Sequence, residues 1–444
     1  MSSLKAAVLL LFGTVLLFPG KAAAQELLTL EEAIRIGLQN NYAIQIAGRD
    51  EAIASNNVTL GNAGFLPTVE GRATRILNEN NSRQEFSGRA PVERSGATST
   101  NLSSSVNLNW TIFDGMGMFV NYDRLQALEK AGKLFTRETI ENALADITDA
   151  YFEVVRQEGK IQAIEDAIAI SKARIELTEA QYKVGVSAKV EILRAQVDYN
   201  ADRSELLNQQ ESLQNAKINL NQLLGRDPAI NFNTQDSITV DRNLNFGTID
   251  NGATAANPLL QRLSLNRELA QLDLKAVRAS RFPVIGITSA YNFSRNEAEP
   301  LNDFQARFNR NHGYNYGLTL SLPIFNGFNL NRQAQNARIA IEASELEYRQ
   351  AQNQIDAELA RAYSRYTNRL QLLDLEESNM VLAEENAKIA LERYRLGLLT
   401  SIELREAQRN QLVAENRLID IRYEAKAAET ELKRLSSTIL ADTQ

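Results

Sequence analysis

Four motifs in the first half of the chain recur in the second half, all at the same offset in residue number. The recurring pairs are Ala150-Tyr151 with Ala362-Tyr363, Trp110 to Gly115 with Leu322 to Gly327, Tyr182 to Gly185 with Tyr394 to Gly397, and Glu191 to Gln196 with Glu403 to Gln408. A period of this length is far beyond that of solenoid repeats. Because the offset does not drift, the sequence predicts two similar structural halves that arose by duplication.

Residues 1–24 have the pattern of a secretory signal peptide. Lys5 supplies a positive start, residues 6–18 are mostly apolar, and three alanines at 22–24 form a small-residue cleavage site. This stretch is too short and wrongly flanked for a membrane span. We therefore expect an exported protein whose mature chain begins near Gln25.

Composition excludes several kinds of chemistry. The chain has no cysteine, so it has neither disulfides nor thiolate nucleophiles. Its formal charge of −7 argues against a nucleic-acid partner. It contains no phosphate-binding glycine loop, no His-Glu-x-x-His motif and no nucleophile elbow. We expect a protein without enzymatic activity, cofactor or bound metal.

Two segments alternate cleanly between apolar and polar residues, which is the pattern of a strand with one apolar and one polar face. These segments are 102–112 and 314–324. A weaker alternation covers 284–294, and the weakest covers 68–77, where Arg75 falls on the apolar side. The sequence thus predicts four strands.

The strands are expected to form one β-hairpin in each half, over 68–113 and 284–325. Polar residues fill the intervening segments 78–101 and 295–312, which we expect to be long loops. Each half therefore contributes two strands to a sheet.

Long helices are expected after each β-hairpin. Residues 133–183 and 343–395 contain no proline and only one glycine, Gly159. A helix of about 50 residues is about 75 Å long. Gly185 and Gly397 then break each helix, and a second helix of roughly 35 residues follows. We expect two long helical hairpins, at 133–225 and 343–437, with lengths typical of coiled-coil packing.

The chain therefore divides into three parts. A first repeat spans 25–228 and begins with a helix over 29–63. An irregular linker spans 229–256. A second repeat spans 257–444 and begins with a matching helical unit that starts at Asn257-Pro258 and ends at Pro283.

A sheet of four strands with one polar face cannot close on itself. Unpaired edges are forbidden in a bilayer and promote aggregation in water. Closure requires strands from other copies: two copies would give a filled eight-stranded barrel, and three would give twelve strands around a water-filled bore. The predicted fold class is an α+β membrane protein. An alternative is a soluble antiparallel sandwich that buries its apolar faces.

At this point the sequence resembles the TolC-type outer-membrane efflux proteins over essentially the whole mature chain. The resemblance rests on the repeated order of helix, β-hairpin and long helical hairpin. It also rests on two strand exits, Phe113-Asp-Gly115 and Phe325-Asn-Gly327, and on the two Tyr-x-x-Gly turns at 182–185 and 394–397.

The resemblance implies a homotrimer with a twelve-stranded β-barrel in outer-membrane lipid and a coiled-coil α-helical tunnel in the periplasm. It implies the outer-membrane channel of a tripartite efflux system, such as one for multidrug export, or of a type I secretion system in a Gram-negative bacterium. The channel would conduct passively what an inner-membrane pump of the RND or ABC type delivers, and a periplasmic adaptor protein would join the two.

The resemblance also implies site residues. The helix turns that meet the adaptor correspond to Gly185, Val186, Ser187, Gly397, Leu398 and Leu399. The periplasmic gate corresponds to Glu403 and Glu406, three residues apart on one helix face, with Glu191 and Arg405 nearby. Their alternative interpretation is an ordinary solvated helix face.

One position departs from the family pattern. Leu399 stands where a family member carries an arginine that pairs with an acidic residue corresponding to Glu191. That pairing is missing here, and Arg194 or Arg405 are the candidates to replace it.

The sheet residues expected to form aromatic girdles at the membrane surface are Trp110, Tyr314 and Tyr316. An equally good interpretation is that they are ordinary hydrophobic residues that face lipid or pack in the core.

A second function remains open on the residues alone. An exported coiled-coil scaffold or periplasmic adaptor would also have long helices, but it would be soluble, whereas a channel would require detergent.

Overall fold

The computed structural model of the chain describes residues 26–85, 87–247, 255–298 and 306–440. The predicted signal peptide, at 1–24, lies outside them. In chain order the elements are β1 Glu26–Leu28, α1 Leu30–Asn40, α2 Tyr42–Asn56, α3 Leu60–Ala63, β2 Thr68–Gln84, β3 Val92–Phe113, α4 Gly117–Lys183, α5 Lys189–Leu223, β4 Phe232–Thr234, α6 Pro258–Ala279, β5 Val284–Ala298, β6 Phe308–Ser321, α7 Asn329–Arg395 and α8 Ser401–Leu435. The fold is α+β and mostly helical.

Two helical hairpins form the body of the molecule. Helices α4 and α7 have 67 residues each, and α5 and α8 have 35 each. Every boundary in the second hairpin follows its counterpart in the first at the offset of the sequence repeat. At 1.5 Å per residue, the longer helices extend about 100 Å.

The predicted start of both long helices was wrong. We expected them to begin at 133 and 343, but they begin at Gly117 and Asn329, and the shorter helices end at 223 and 435 rather than at 225 and 437. Gly132, directly before the predicted start of the first long helix, lies inside α4. A Cβ built there would sit 3.4 Å from Ala54 Cβ of α2, so a larger residue would press against that helix.

The predicted single helix over 29–63 is three helices. Asn41 ends α1 and caps α2, because its side chain accepts hydrogen bonds from the backbone N–H groups of Ala43 and Ile44 at 2.9 and 3.2 Å. Thr59 caps α3 in the same way through Asn62 N–H, at 3.1 Å. Short polar side chains compete with the helical ladder in this manner.

The predicted polar loops are mostly strand. β2 continues to Gln84 and β3 begins at Val92, so only 85–91 connects them rather than 78–101. Likewise β5 continues to Ala298 and β6 begins at Phe308, within the segment 295–312. Backbone pairing needs no apolar side chain, and a strand with two polar faces lacks the alternation on which the prediction depended.

The two β-hairpins form one antiparallel sheet in the order β2-β3-β5-β6. The β3–β5 pairing joins the two halves of the chain. β6 ends at Ser321, before the predicted limit at 325, since Pro323 lacks a backbone N–H for further pairing. Within the described residues, β2 and β6 have no strand on their outer sides.

The register separates the side chains of this sheet onto two faces. Paired residues of an antiparallel ladder point to the same side. We define the apolar face by its members Val69, Val106, Leu108, Trp110, Ile285, Ile287, Tyr291, Tyr314, Tyr316, Leu318 and Leu320. The opposite, polar face carries Asn107, Asn109, Asn292, Asn315 and Thr319 among others. Much of the apolar face is exposed in a single copy; Tyr316 is 81% exposed and Leu318 is 77% exposed.

The linker at 229–256 is less irregular than predicted. Its strand β4 pairs in parallel with β1, and Phe232 is fully buried in the core that Ile147, Tyr151 and Leu220 form. Further along, Asp241 O accepts a hydrogen bond from Tyr366 OH of α7. The linker therefore connects both helical hairpins near the middle of their length.

Among the described helices, none is long and apolar enough to cross a bilayer.

Candidate functional site at the helical tips

Both helical hairpins turn through the same backbone motif. Gly185 N–H donates to Tyr182 O at 2.9 Å and Val186 N–H donates to Gln181 O at 2.9 Å. Gly397 and Leu398 make the equivalent bonds in the second hairpin. This pattern requires a left-handed residue after the helix, and the glycines have φ of +81° and +72°. A Cβ at either position would meet no atom within 4 Å, so backbone conformation alone requires glycine.

The tips expose apolar side chains. Val184 and Val186 of the first tip are 74% and 75% exposed, and Leu396 and Leu398 of the second are 73% and 65% exposed. Ser187, in contrast, is half-buried. The structure thus presents two small apolar surfaces at the end of the molecule farthest from the sheet, which is a feature of interaction sites.

Leu399 packs inward rather than outward. It lies against a buried cluster that contains Tyr394 and Leu404, and Leu177 of the other hairpin packs on the same cluster. The Tyr394 hydroxyl is also within 3.1 Å of the Thr178 hydroxyl, in a buried hydrogen bond between the hairpins. Leu399 therefore stabilises the joint between the hairpins.

Glu403 is part of a capping box at the start of α8. Its carboxylate accepts hydrogen bonds from Thr400 N–H at 2.9 Å and from the Thr400 hydroxyl at 2.7 Å. These bonds, the side-chain one first, lower the pKa of Glu403. Glu406 is exposed one turn further along, and together the two residues place two carboxylates on one helix face.

Glu191 joins the two hairpins at their tips. Its carboxylate accepts a hydrogen bond from the Ser401 hydroxyl, and it forms an ion pair with Arg194 at 2.7 Å. Ser401 is the first residue of α8, so the carboxylate also lies near the positive end of that helix dipole. The partners of Glu191 are thus Ser401 and Arg194. In the family pattern its partner would be an arginine at the position of Leu399.

Arg405 lies in a half-buried ion cluster between α5 and α8. Its guanidinium binds both carboxylate oxygens of Asp202, at 2.6 and 3.1 Å, and approaches Asp198 at 3.8 Å. Asp198 also pairs with Arg174 of α4, whose side chain is 3% exposed. Burial alone would lower the pKa of Arg405, but the hydrogen bond and charge of Asp202 raise it overall. We call Arg174, Asp198, Asp202 and Arg405 the tip ion cluster.

Sequence reasoning missed Arg174, Asp198 and Asp202. A signal was available, because the cluster breaks the repeat. At the offset of the repeat, Asp202 corresponds to Ala414, Asp198 to Asn410 and Arg174 to Asn386. These three positions are charged in the first repeat and neutral in the second, which indicates an ion-pair contact made by the first hairpin alone.

A second group of carboxylates lies at mid-length, on the joint of α4 and α8. Burial raises the pKa of Asp149 to about 7, the charges of Asp146 and Glu431 add to the effect, and Arg434 opposes it. Asp149 lines a groove of about 500 Å³ with Arg365, Arg369, Tyr423 and Glu431.

The three aromatic residues predicted for membrane girdles all lie on the apolar face. Trp110 is near the helical end of the sheet, and its ring N–H donates to Phe65 O at 2.9 Å. Tyr316 and Tyr314 occupy the middle of the face, four and six residues from Leu320. Their placement at membrane surfaces stays a prediction.

A protein-family model described as outer membrane efflux protein matches residues 33–226 and 251–438. The two matched segments correspond to the two halves of the repeat. Their combined length is most of the chain.

Curated relatives are distant but span nearly the whole molecule. The outer membrane protein TolC of Vibrio cholerae is 20% identical over 404 residues, covering 88% of this chain and 86% of the relative. The proteases secretion protein PrtF of Dickeya chrysanthemi is 18% identical, covering 95% and 90%. The cation efflux system protein CusC of Escherichia coli is 21% identical, covering 83% and 81%.

Solved structures show the same fold. The outer-membrane channel OprN superposes with a TM-score of 0.72 at 18% identity, covering 92% of this chain and 90% of its own. The CmeC outer membrane channel of Campylobacter jejuni superposes with a TM-score of 0.73 at 16% identity, covering 92% and 85%.

Proposed function

This chain belongs to the outer membrane efflux protein family, and from that premise we propose that three copies build one continuous conduit. The protein is an outer-membrane channel of efflux and secretion systems, with its helical part in the periplasm. The family assignment removes the alternative of a soluble exported scaffold. The conduit is passive and carries out no chemical step.

The observation that supports a shared wall is the open sheet. Among the residues that the structure describes, β2 and β6 each have one unpaired edge, and the sheet is exposed on its apolar face. In a bilayer, each unpaired backbone group costs several kcal/mol. Because the strand order alternates in direction, β6 of one copy can pair in antiparallel with β2 of the next. Three copies give twelve strands, with the polar face lining a water-filled bore.

The helical hairpins would continue the bore into the periplasm. Each copy supplies α4, α5, α7 and α8, so three copies supply twelve helices to one tube. The matching bounds of the two hairpins favour a wall of six similar units, and duplication of one ancestral half explains that match.

The exposed tips are the proposed contact with a periplasmic adaptor. The surface comprises the turns at Gly185, Val186, Ser187, Gly397 and Leu398, whereas the half-buried Leu399 contributes from below. An inner-membrane pump of the RND or ABC type would complete the system. Relatives serve cation efflux and protease secretion according to their names, so cargo differs within the family.

The gate is proposed at the start of α8. Glu403 and Glu406 would form a ring of six carboxylates in a trimer, and such a ring attracts cations and repels anions. Glu191 and the tip ion cluster hold α8 against the first hairpin, and Arg405 thus acts on the gate through position rather than by lining it.

Channel activity is tested directly by reconstitution. Purified mature protein is added to a planar lipid bilayer under voltage, with heat-denatured protein as the control. We expect discrete conductance steps of uniform size, with preference for cations. A preparation that inserts into the bilayer and passes no ions would contradict the proposed function.

A further inference from the structure

One level of the sheet carries three arginines on the apolar face. Arg75 of β2 is paired with Leu102, Leu102 is paired with Arg295 of β5, and Arg295 is paired with Arg310 of β6. Since paired residues point to the same side, the three side chains lie in one line across the sheet. All three are exposed. We call them the arginine row.

The opposite face is uncharged at this level. The residues of that face next to the row are Thr74, Ile76, Asn101, Ser103, Ser294, Asn296, Asn309 and Asn311. At this level the positive charge lies on the side that also carries the exposed aliphatic and aromatic residues, and the nearest arginine of the polar face, Arg72, is three residues from Arg75 along β2.

The row lies near the far end of the apolar face, and the next line beyond it holds Leu77 and Phe308 together with Thr100 and Glu297. Leu320, at the helical end of β6, is ten residues from Arg310, which corresponds to about 34 Å along a strand. At the usual strand tilt this gives a height of about 26 Å, close to the apolar band of an outer-membrane barrel at about 25 Å. The row therefore falls where outer-leaflet headgroups begin.

Two of the three guanidinium groups stack on aromatic rings, and one of the three has a carboxylate partner. The stacked pairs are Arg310–Phe293 and Arg295–Phe308, each at 5.5 Å from Cζ to the ring centroid. Arg295 also forms an ion pair with Glu297. Within the described residues, Arg75 and Arg310 have no carboxylate within 4.0 Å. At least two positive charges per copy thus remain for an outside ligand.

We propose that the arginine row binds the phosphate groups of the glycolipids in the outer leaflet of the outer membrane. The inference rests on the proposed trimeric barrel, in which three copies with three arginines each would form a belt around the wall. Arginine matches phosphate through two parallel hydrogen bonds, which are stronger in the weakly screened interface. The acyl chains of the same lipid would lie on Tyr291, Tyr314 and the residues below.

The test compares lipid retention by purified trimers. Delipidated protein is titrated with a diphosphorylated glucosamine-disaccharide lipid, and bound lipid is counted by native mass spectrometry. Arg75→Gln/Arg295→Gln/Arg310→Gln should weaken binding at least tenfold, whereas the matching triple lysine variant should retain most of it. Arg72→Gln, on β2 but on the polar face, should bind as the wild type does. A zwitterionic phospholipid should bind all variants alike, and millimolar inorganic phosphate should not displace the lipid.

Two results would overturn the proposal: equal affinity of wild type and triple glutamine variant, or an equal loss in Arg72→Gln. The singles Arg75→Gln and Arg310→Gln decide the matter if the triple variant fails to assemble, because each alone should reduce affinity severalfold. Each preparation is also examined for trimer mass and conductance. Wild-type protein that is neither trimeric nor conducting disproves the channel architecture, whereas a conducting trimer with unselective lipid binding disproves only the arginine row.

Discussion

At the scale of single residues, Glu403 has two roles that a suitable substitution separates. Alanine would remove both the capping box and the charge, but glutamine keeps the cap. We expect Glu403→Gln/Glu406→Gln to increase single-channel conductance for anions relative to cations and to weaken block by divalent cations, because the carboxylate ring is lost. Bilayer recordings with and without millimolar divalent cation measure this.

Glu392→Gln provides the control for that pair, since Glu392 is an exposed carboxylate at the end of α7 that forms an ion pair with Arg395. If the double variant shows unchanged selectivity and block, the residues form a solvated helix face and not a gate.

Asp149 gives a pH dependence with a defined sign. The pKa of Asp149 is about 7 in the folded state and about 3.9 in the unfolded state. Between about pH 3.9 and pH 7, the folded state therefore keeps a proton on Asp149 that the unfolded state has released. Stability from this group is present at pH 4 and disappears as pH rises to 7. Asp149→Asn should raise the apparent melting temperature at pH 8 and change it little at pH 4.

At pH 8, Asp149→Asn should raise the free energy of unfolding by on the order of 2 kcal/mol, after allowance for the partial exposure of Asp149. Melting curves of the detergent-solubilised protein at both pH values measure it, with Asp123→Asn, an exposed position on the same helix, as the control. An equal shift at pH 4 and pH 8 would show that Asp149 does not hold the proton.

At the scale of elements, the tip ion cluster determines how α8 is held against α5. Arg405→Leu leaves the buried Asp202 without its bidentate partner, and breaking a buried pair costs about 3–5 kcal/mol. Arg405→Leu/Asp202→Ala introduces the residues that the repeat places at these positions, Leu193 and Ala414. We expect the double variant to recover most of the lost stability.

A double-mutant cycle of unfolding free energies checks this coupling. Arg409→Leu is the matched control, because Arg409 is exposed one turn further along α8. Strictly additive losses would mean that the ion pair does not hold the two helices together.

The elements also show what sequence alone could predict. The long helices were found because residues 133–183 lack proline, and their turns were found because Gly185 and Gly397 need positive φ. Strand ends were missed wherever both faces turn polar, as in 78–84, since alternation then disappears while backbone pairing continues. The tip ion cluster was missed because its members are far apart in sequence, from Arg174 in α4 to Arg405 in α8.

At the scale of the whole molecule, the two faces of the sheet should differ in tolerance to charge. Tyr316 lies mid-height on the apolar face, and Asn315 lies beside it on the polar face. Arginine on a lipid-facing midplane position costs about 2–4 kcal/mol. Tyr316→Arg should reduce the amount of folded protein in the outer membrane, whereas Asn315→Arg should assemble normally and alter ion selectivity. Equal assembly of the two variants would contradict the assignment of the faces.

The central claim is that one copy has too few strands to seal a pore, so three copies share a single wall. Native mass spectrometry of the detergent-extracted mature protein tests it most directly. The account predicts one dominant species with three times the mass of a single chain. A dominant species of one or two chains that still conducts ions in a bilayer would contradict it.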